Sequence, residues 1–191
     1  MNTPSHFLMT AAINKGLPKV PIAKSGFLLG SIAPDMPLWI LSLGGIAYYH
    51  WFKGWSLNQT FNYLFDKLYF ENPFWIGSHN FFHAPILLIL ALGFLWRYRQ
   101  NIGSLYHWFF WFFAACFLHS IVDIFTHADD GPLLFFPLEW TIRFNSPVSY
   151  WDPRYYGREF AIFELVLDVV LILYLILPRI SRFLRKVMGG Y

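Results

Sequence analysis

Charge is scarce in this 191-residue chain: Asp, Glu, Lys and Arg make up 13% of it, against about 25% in an ordinary soluble domain. Residues 36–52, 72–96 and 100–122 contain none of the four, and 160–177 is apolar except for Glu164 and Asp168. A chain this poor in charge has too little polar material to cover a water-soluble fold. Cysteine is almost missing as well. Cys116 is the single thiol and lies inside an apolar run, which excludes an intrachain disulfide and a thiolate metal cluster. The GxGxxG, Walker A, GxSxG and HExxH patterns are absent, and Ser31, Ser78 and Ser120 sit in no nucleophile motif. The opening MNTPSHFLMTAAINKG lacks a basic start followed by an apolar core and a small-residue cleavage site, so no cleavable signal peptide is expected. No internal repeat and no low-complexity linker is visible.

What remains is apolar and aromatic. Hydrophobic residues make up 57% of the chain, and Phe, Trp and Tyr alone 22%. A spanning helix needs roughly 20 predominantly apolar residues. Residues 75–96, 104–125 and 160–177 meet that length, and the reading is a single all-α, polytopic membrane domain over residues 1–191 with three to four spans. Residues 36–52 are the uncertain fourth: seventeen residues reach only about 26 Å, and Gly44-Gly45 interrupts them. They are expected to be a buried or interfacial helix, which leaves every candidate ligand at one membrane face. Three spans put the bases of RYR (97–99) on the same side as Arg179, Arg182, Arg185 and Lys186, and neither segment contains an acid. The positive-inside rule then makes that side, with the C-terminus, cytoplasmic. The net charge of +3 and pI near 9.0 belong to this flank, and no nucleic-acid partner is expected.

One stretch conflicts with its apolar setting. LHSIVDIFTHADDGP (118–132) ends a hydrophobic helix and places His119, Asp123 and His127 at i, i+4 and i+8, along one stripe. The preceding antiparallel helix opens with SHNFFHAP, bringing His79 and His83 to the same level. The last helix enters there with Glu164 and Asp168. Ionisable residues within spans mark functional sites by default. Imidazole with carboxylate is the ligand set of zinc and similar divalent ions, and a bound cation offsets the desolvation of the carboxylates. Glu164 is placed nearer this site than Asp168, which is expected to pair with another polar group. His50 and His107, next to aromatics at span ends, are read as hydrogen-bonded interfacial groups, Asp129-Asp130-Gly131 as a solvated turn, and the Trp and Tyr residues as interfacial belts and core.

The motifs SHFLMTAA, GSIAPDMP, SHNFFHAP, LHSIVDIFTH and GPLLFFPLEWTIRF, in that order over residues 5–144, resemble the membrane-bound metal-dependent hydrolases of bacterial inner membranes. That family is similar in motif order to zinc-dependent phospholipase C. The resemblance implies a phospholipase C-like helical core and metal-ligand roles for His6, Asp35, His83, His119 and Asp123, with Asp35 helping to activate water. His127 and Glu164 match later ligands of the phospholipase pattern. Two positions depart from it: the pair reads HNFFH, one residue shorter than usual and without the Arg, and Phe160 stands where the phospholipase pattern has a histidine.

The expectation is therefore a multi-pass inner-membrane hydrolase holding one or two divalent ions, with zinc as the expected metal. The ligand set is drawn from His6, Asp35, His79, His83, His119, Asp123, His127 and Glu164, with Asp35, His119 and Asp123 at the chemistry. Its substrate would be a phosphoester or lipid ester taken from membrane lipids. Arg143, Arg154 or Arg158 either orient an anionic headgroup or pair with Asp152 and Glu159. Two rivals use the same residues. A metal or proton transporter needs polar groups continuing across the bilayer, whereas ILLILALGFL and VVLILYLIL contain almost none. A structural protein with a noncatalytic metal would show saturated coordination.

Overall fold

The computed structural model describes residues 1–188, with side chains through residue 178; the side chains of Arg179, Arg182, Arg185 and Lys186, on which the basic flank rests, lie outside the described residues. Among the described residues there is no strand, only an isolated antiparallel bridge between Leu133 and Arg143. Helix α1 (Thr3–Gly16) leads to α2 (Lys24–Gly30) and α3 (Met36–Ile46), which runs on as a π-helical stretch, Ala47–Phe52. Helix α4 (Leu57–Asn62) continues through a second π-helical stretch, Tyr63–Leu68, into α5 (Tyr69–Glu71). Then come α6 (Pro73–Asn80), α7 (Pro85–Leu95), α8 (Leu105–Thr126) and α9 (Gly157–Met188).

The helix starts follow local chemistry. Ser104 caps α8 by accepting from His107 N at 3.1 Å, and Asn72 caps α6 through Phe74 N at 3.0 Å. Prolines occupy the first turns of α1, α3, α6 and α7, where a missing N–H costs nothing.

Among the described residues, two helices are long and apolar enough to cross a membrane, Leu105–Thr126 and Gly157–Pro178. The helix expected without interruption over 75–96 is instead broken. Pro73–Asn80 and Pro85–Tyr98 meet at 41° and qualify as a third span only as a bent pair. Pro85 is the cause: it drives the preceding Ala84 out of helical geometry, to ψ 116°. His83 sits in this break, so His79 and His83 do not lie on one continuous helix. Residues 36–52 are helical but are not among the candidate spans.

Helix α2 lies close against α8 because Gly26 and Gly30, four residues apart, have no side chains. A Cβ at Gly26 would meet the Trp108 carbonyl oxygen at 2.7 Å, and one at Gly30 the Phe112 carbonyl oxygen at 2.1 Å. Small residues at this spacing let backbones approach inside a membrane, where packing drives helix association. Helix α1 is tied to α9 at a second defect. Pro178 has no N–H for the Tyr174 carbonyl, and the Lys15 ammonium donates to that oxygen, reaching Leu175 O at 3.4 Å. Ile76, Ala84, Leu133 and Phe136, with Leu87 against them, form one apolar cluster, and Leu64, Leu88, Phe110 and Cys116 are buried elsewhere. Much of the interior is polar, with Ser5, His6, Ser31, Asn80, His83, His119, Ser120 and Asp123 all buried. Only 6% of the most apolar window of α9 is buried; its outward residues, among them Ile162 and Leu165, suit lipid.

Candidate metal centre

Asp123 and His119 are one turn apart on α8, and His119 Nε2 lies 3.0 Å from Asp123 Oδ2. The α6–α7 break supplies His83, whose Nε2 is 3.3 Å from His119 Nε2 and 3.5 Å from Asp123 Oδ2. The turn before α3 adds Asp35, its Oδ1 3.4 Å from His119 Nε2 and 3.6 Å from His83 Nε2. One ligand atom from each of these four residues lies within 4.8 Å of all the others.

Their hydrogen bonds decide what the four atoms can do. His119 Nδ1 faces the Ser31 carbonyl at 2.7 Å, and His83 Nδ1 faces the His79 carbonyl at 3.0 Å. A carbonyl only accepts, so each Nδ1 carries the proton when the ring is neutral, and each Nε2 presents a bare lone pair. Two imidazole lone pairs and two carboxylates therefore converge, an arrangement that repels itself unless positive charge lies among them. Four ligands at about 2.0–2.1 Å around a tetrahedral zinc would stand roughly 3.3 Å apart. The five separations above, 3.0 to 3.6 Å, bracket that value. The donor chemistry and its spacing fit a divalent cation, and the backbone carbonyls behind the histidines are the orienting partners that such ligands require.

The other expected residues take neighbouring places. His6 on α1 is not among the four. Its Nε2 bonds Asp123 Oδ1 at 2.9 Å, and its ring stacks on His119 at 3.6 Å. Burial, only partly opposed by Asp123, pushes the His6 imidazole down to about 4; the neutral ring then donates to Asp123 and holds that carboxylate in place. Thr3 Oγ1 donates to the second Asp35 oxygen. His127, at the end of α8, turns its Nδ1 to the Asp123 carbonyl at 3.0 Å, with Asp123 Oδ1 at 3.8 Å; burial lowers its basicity. His79 is buried with Nε2 3.0 Å from the Tyr69 hydroxyl. Glu164 is not among the four: its two oxygens accept from Asn2 N at 2.7 Å and Asn2 Nδ2 at 2.5 Å. It anchors the start of α1. Asp168 accepts from Ser5 Oγ at 2.9 Å. Arg154 pairs with Asp152 at 2.5 Å. His50 and His107 bond the backbone carbonyls of Trp55 and Arg99 at 2.7 and 2.9 Å.

Several supporting groups had no sequence signal. The Ser31 carbonyl and the Thr3 hydroxyl act across the fold. The Met1 amino nitrogen lies 2.9 Å from Asp123 Oδ1 and 2.8 Å from Thr126 Oγ1. The loop after α8 is fastened where a solvated turn was expected: Tyr69 Oη donates to Asp130 O at 2.6 Å, Trp151 Nε1 to Asp130 Oδ2 at 2.8 Å, and Arg143 to Gly131 O. Arg143 is thereby a loop clamp.

A cavity of about 700 Å³ opens over the cluster, touching Asp35, His83, Asp123, His79 and His127, within the range typical of small-molecule sites. Asp35 is the most open of the four, its side chain 17% exposed against 4% or less for the other three. Comparison with curated proteins gives no match, and comparison with solved structures gives none. The model of the YdjM inner membrane protein family matches residues 1–183, and the chain belongs to that family.

Proposed function

We propose that this inner membrane protein is a metal-dependent hydrolase of a phosphoester or lipid ester, working at the cavity above Asp35, His83, His119 and Asp123. The observation that carries the reading is the coincidence of a cation-sized ring of donors with an adjoining chamber. A divalent ion, with zinc the best match to two imidazoles and two carboxylates, would supply Lewis-acid polarisation of the scissile group and lower the pKa of water. The chain's own residues then divide the remaining work. His83 and His119 hold their lone pairs inward through the His79 and Ser31 carbonyls. Asp123 is fixed by His6 from one side. Asp35, facing the cavity and steadied by Thr3, orients the attacking water and accepts its proton. On this reading the phospholipase C-like core expected from the motif order would be the helical bundle around these residues.

A second reading has an observation of its own. Four protein donors can saturate a tetrahedral ion, as in noncatalytic sites; the cavity at Asp35 is what favours catalysis over it. The deciding experiment measures metal content of purified wild type beside His119→Ala and Asp123→Ala, then turnover of phosphodiester and phospholipid substrates. Stoichiometric metal and turnover in wild type, with both lost in the variants, is the expected result. Metal bound without turnover on any ester would favour the noncatalytic site, and wild type free of metal would remove both readings.

A further inference from the structure

The cavity has two chemically different sides. One holds the cation cluster and the polar groups Asp129, Asp130 and Arg154; the other, from α3 to α5, is mostly apolar, with Leu38, Trp39, Phe61, Phe65 and Phe70 and, between them, Asn62 and Asp66. Trp39, Phe61 and Phe70 line the chamber and are 56%, 42% and 43% exposed. They form an apolar lip.

What lies outside that lip follows from α3. Residues 36–52 carry no charge, and no residue of Met36–Ile46 is buried within the chain. Ile40 and Leu43 are 62% and 66% exposed, and Trp51 and Phe52 beyond them 77% and 78%. An apolar helix that packs one face on α4 and α6, leaves Trp39, Ile40 and Leu43 exposed on the other, and is not among the candidate spans belongs in the boundary between headgroups and acyl chains. Its partner segment (57–71) carries Asp66, Lys67 and Glu71 as well as Phe61, Phe65 and Phe70, as an element at that boundary should. With α3 at that boundary, the apolar lip would face the leaflet and the polar side of the mouth would face water.

We infer that the apolar side of this cavity is an acyl-chain subsite: one chain of a bilayer lipid enters over the Trp39–Phe61 lip and lies against Leu38 and Phe65, with the lipid's headgroup ester directed at the cation cluster. Identifying that lipid as substrate rests on the hydrolase reading; occupation of the subsite does not. A water-soluble ester would require no apolar lip, and a chamber serving only a structural ion would require no chamber wall at all. Continuity of this wall with Asp35, the adjacent residue to Met36 of α3, places chain and ester in one compartment.

The test separates occupation from chemistry. Metal-free full-length protein is placed in vesicles of phosphatidylethanolamine and phosphatidylglycerol containing a trace phospholipid with a photoreactive diazirine in mid-chain, and adducts are mapped by peptide mass spectrometry. Adducts are expected on Leu38 and Phe65 as well as on the outward Ile40 and Leu43. Phe65→Glu, and independently Leu38→Trp as a bulk-filling variant, should cut labelling of the inner wall at least tenfold while leaving labelling of Ile40 and Leu43 unchanged; the latter also shows that the variant is folded. In parallel, zinc-loaded protein is assayed on a water-soluble aryl phosphodiester and on long-chain phospholipid. The two variants should lower kcat/KM for the long-chain substrate at least tenfold and leave the soluble one within twofold. Labelling confined to Ile40 and Leu43, or inner-wall labelling indifferent to both variants, overturns the subsite. If labelling behaves as expected but zinc-loaded wild type turns over neither substrate, the subsite stands and the hydrolase reading falls.

Discussion

Replacing Gly30 with alanine should damage both the fold and the centre, because one helix end serves both. A Cβ at Gly30 would lie 2.1 Å from the Phe112 carbonyl oxygen, 2.9 Å from its carbon and 3.0 Å from Ala115 Cβ. Non-bonded heavy atoms rest at roughly 3.5 Å, and backbone on both sides cannot swing aside, so α2 must withdraw from α8 by about 1 Å or more. Ser31, the next residue, accepts from His119 Nδ1 at 2.7 Å. A withdrawal of that size stretches the bond to the limit of hydrogen bonding and carries the turn bearing Asp35 with it. Overpacking of this kind costs about 1–3 kcal/mol and the lost hydrogen bond about 1 kcal/mol more. Together they should lower the melting temperature by roughly 5–15 °C for a chain of this size. Loss of an orienting partner behind a ligand typically weakens metal binding about 10–100-fold. Gly44→Ala is the control: no atom lies within 4 Å of its added Cβ, and alanine is the better helix former by about 0.5–1 kcal/mol. Thermal unfolding in detergent followed by circular dichroism, with a zinc titration against a chromophoric chelator, reads both effects. A Gly30→Ala protein with wild-type melting and wild-type zinc affinity would refute the argument.

Other contacts make separate predictions. His6→Ala should retain metal with affinity reduced about tenfold, because it removes the ring that holds Asp123 and leaves the four-donor set in place; a zinc titration checks this, and loss of all metal would make His6 itself a ligand. Glu164→Gln should leave metal stoichiometry unchanged, since that carboxylate engages Asn2; elemental analysis decides it. Lys15→Met removes the donor to the Tyr174 carbonyl that Pro178 leaves open on α9, and should cost about 0.5–1.5 kcal/mol by denaturant unfolding. Asn80→Leu strands Leu133 N, which Asn80 Oδ1 receives at 2.8 Å, and should make the loop after α8 cleave faster under limited proteolysis.

Hydropathy and spacing made the membrane character and the α8 stripe legible. An apolar run of 22 residues capped by Ser104 has few alternatives to a helix, and His119 and Asp123 at i, i+4 must share a face of it. Those inferences depend only on bonds within a few residues. The uninterrupted helix over 75–96 failed for a local reason that hydropathy does not weigh: Pro85 has an apolar score and a backbone veto. That veto puts His83 in a bend, where its Nε2 can face His119.

The assignment of partners lay beyond the reach of spacing. Nothing in the order of residues says that Glu164 takes Asn2 while Asp35, in a proline turn far from α8, takes the place beside His119. Nor does it say that Gly26 and Gly30 bring α2 close enough for the Ser31 carbonyl to orient a histidine 88 positions away. Residue order alone determined which segments are apolar, which are helical, and which residues have the chemistry to bind a cation. Tertiary packing decided which four donors meet and which side of their chamber is greasy. The physical reason is range: helix propensity and hydropathy act over one or two turns, whereas a coordination shell is closed only when several backbones approach to within a few ångströms of one another.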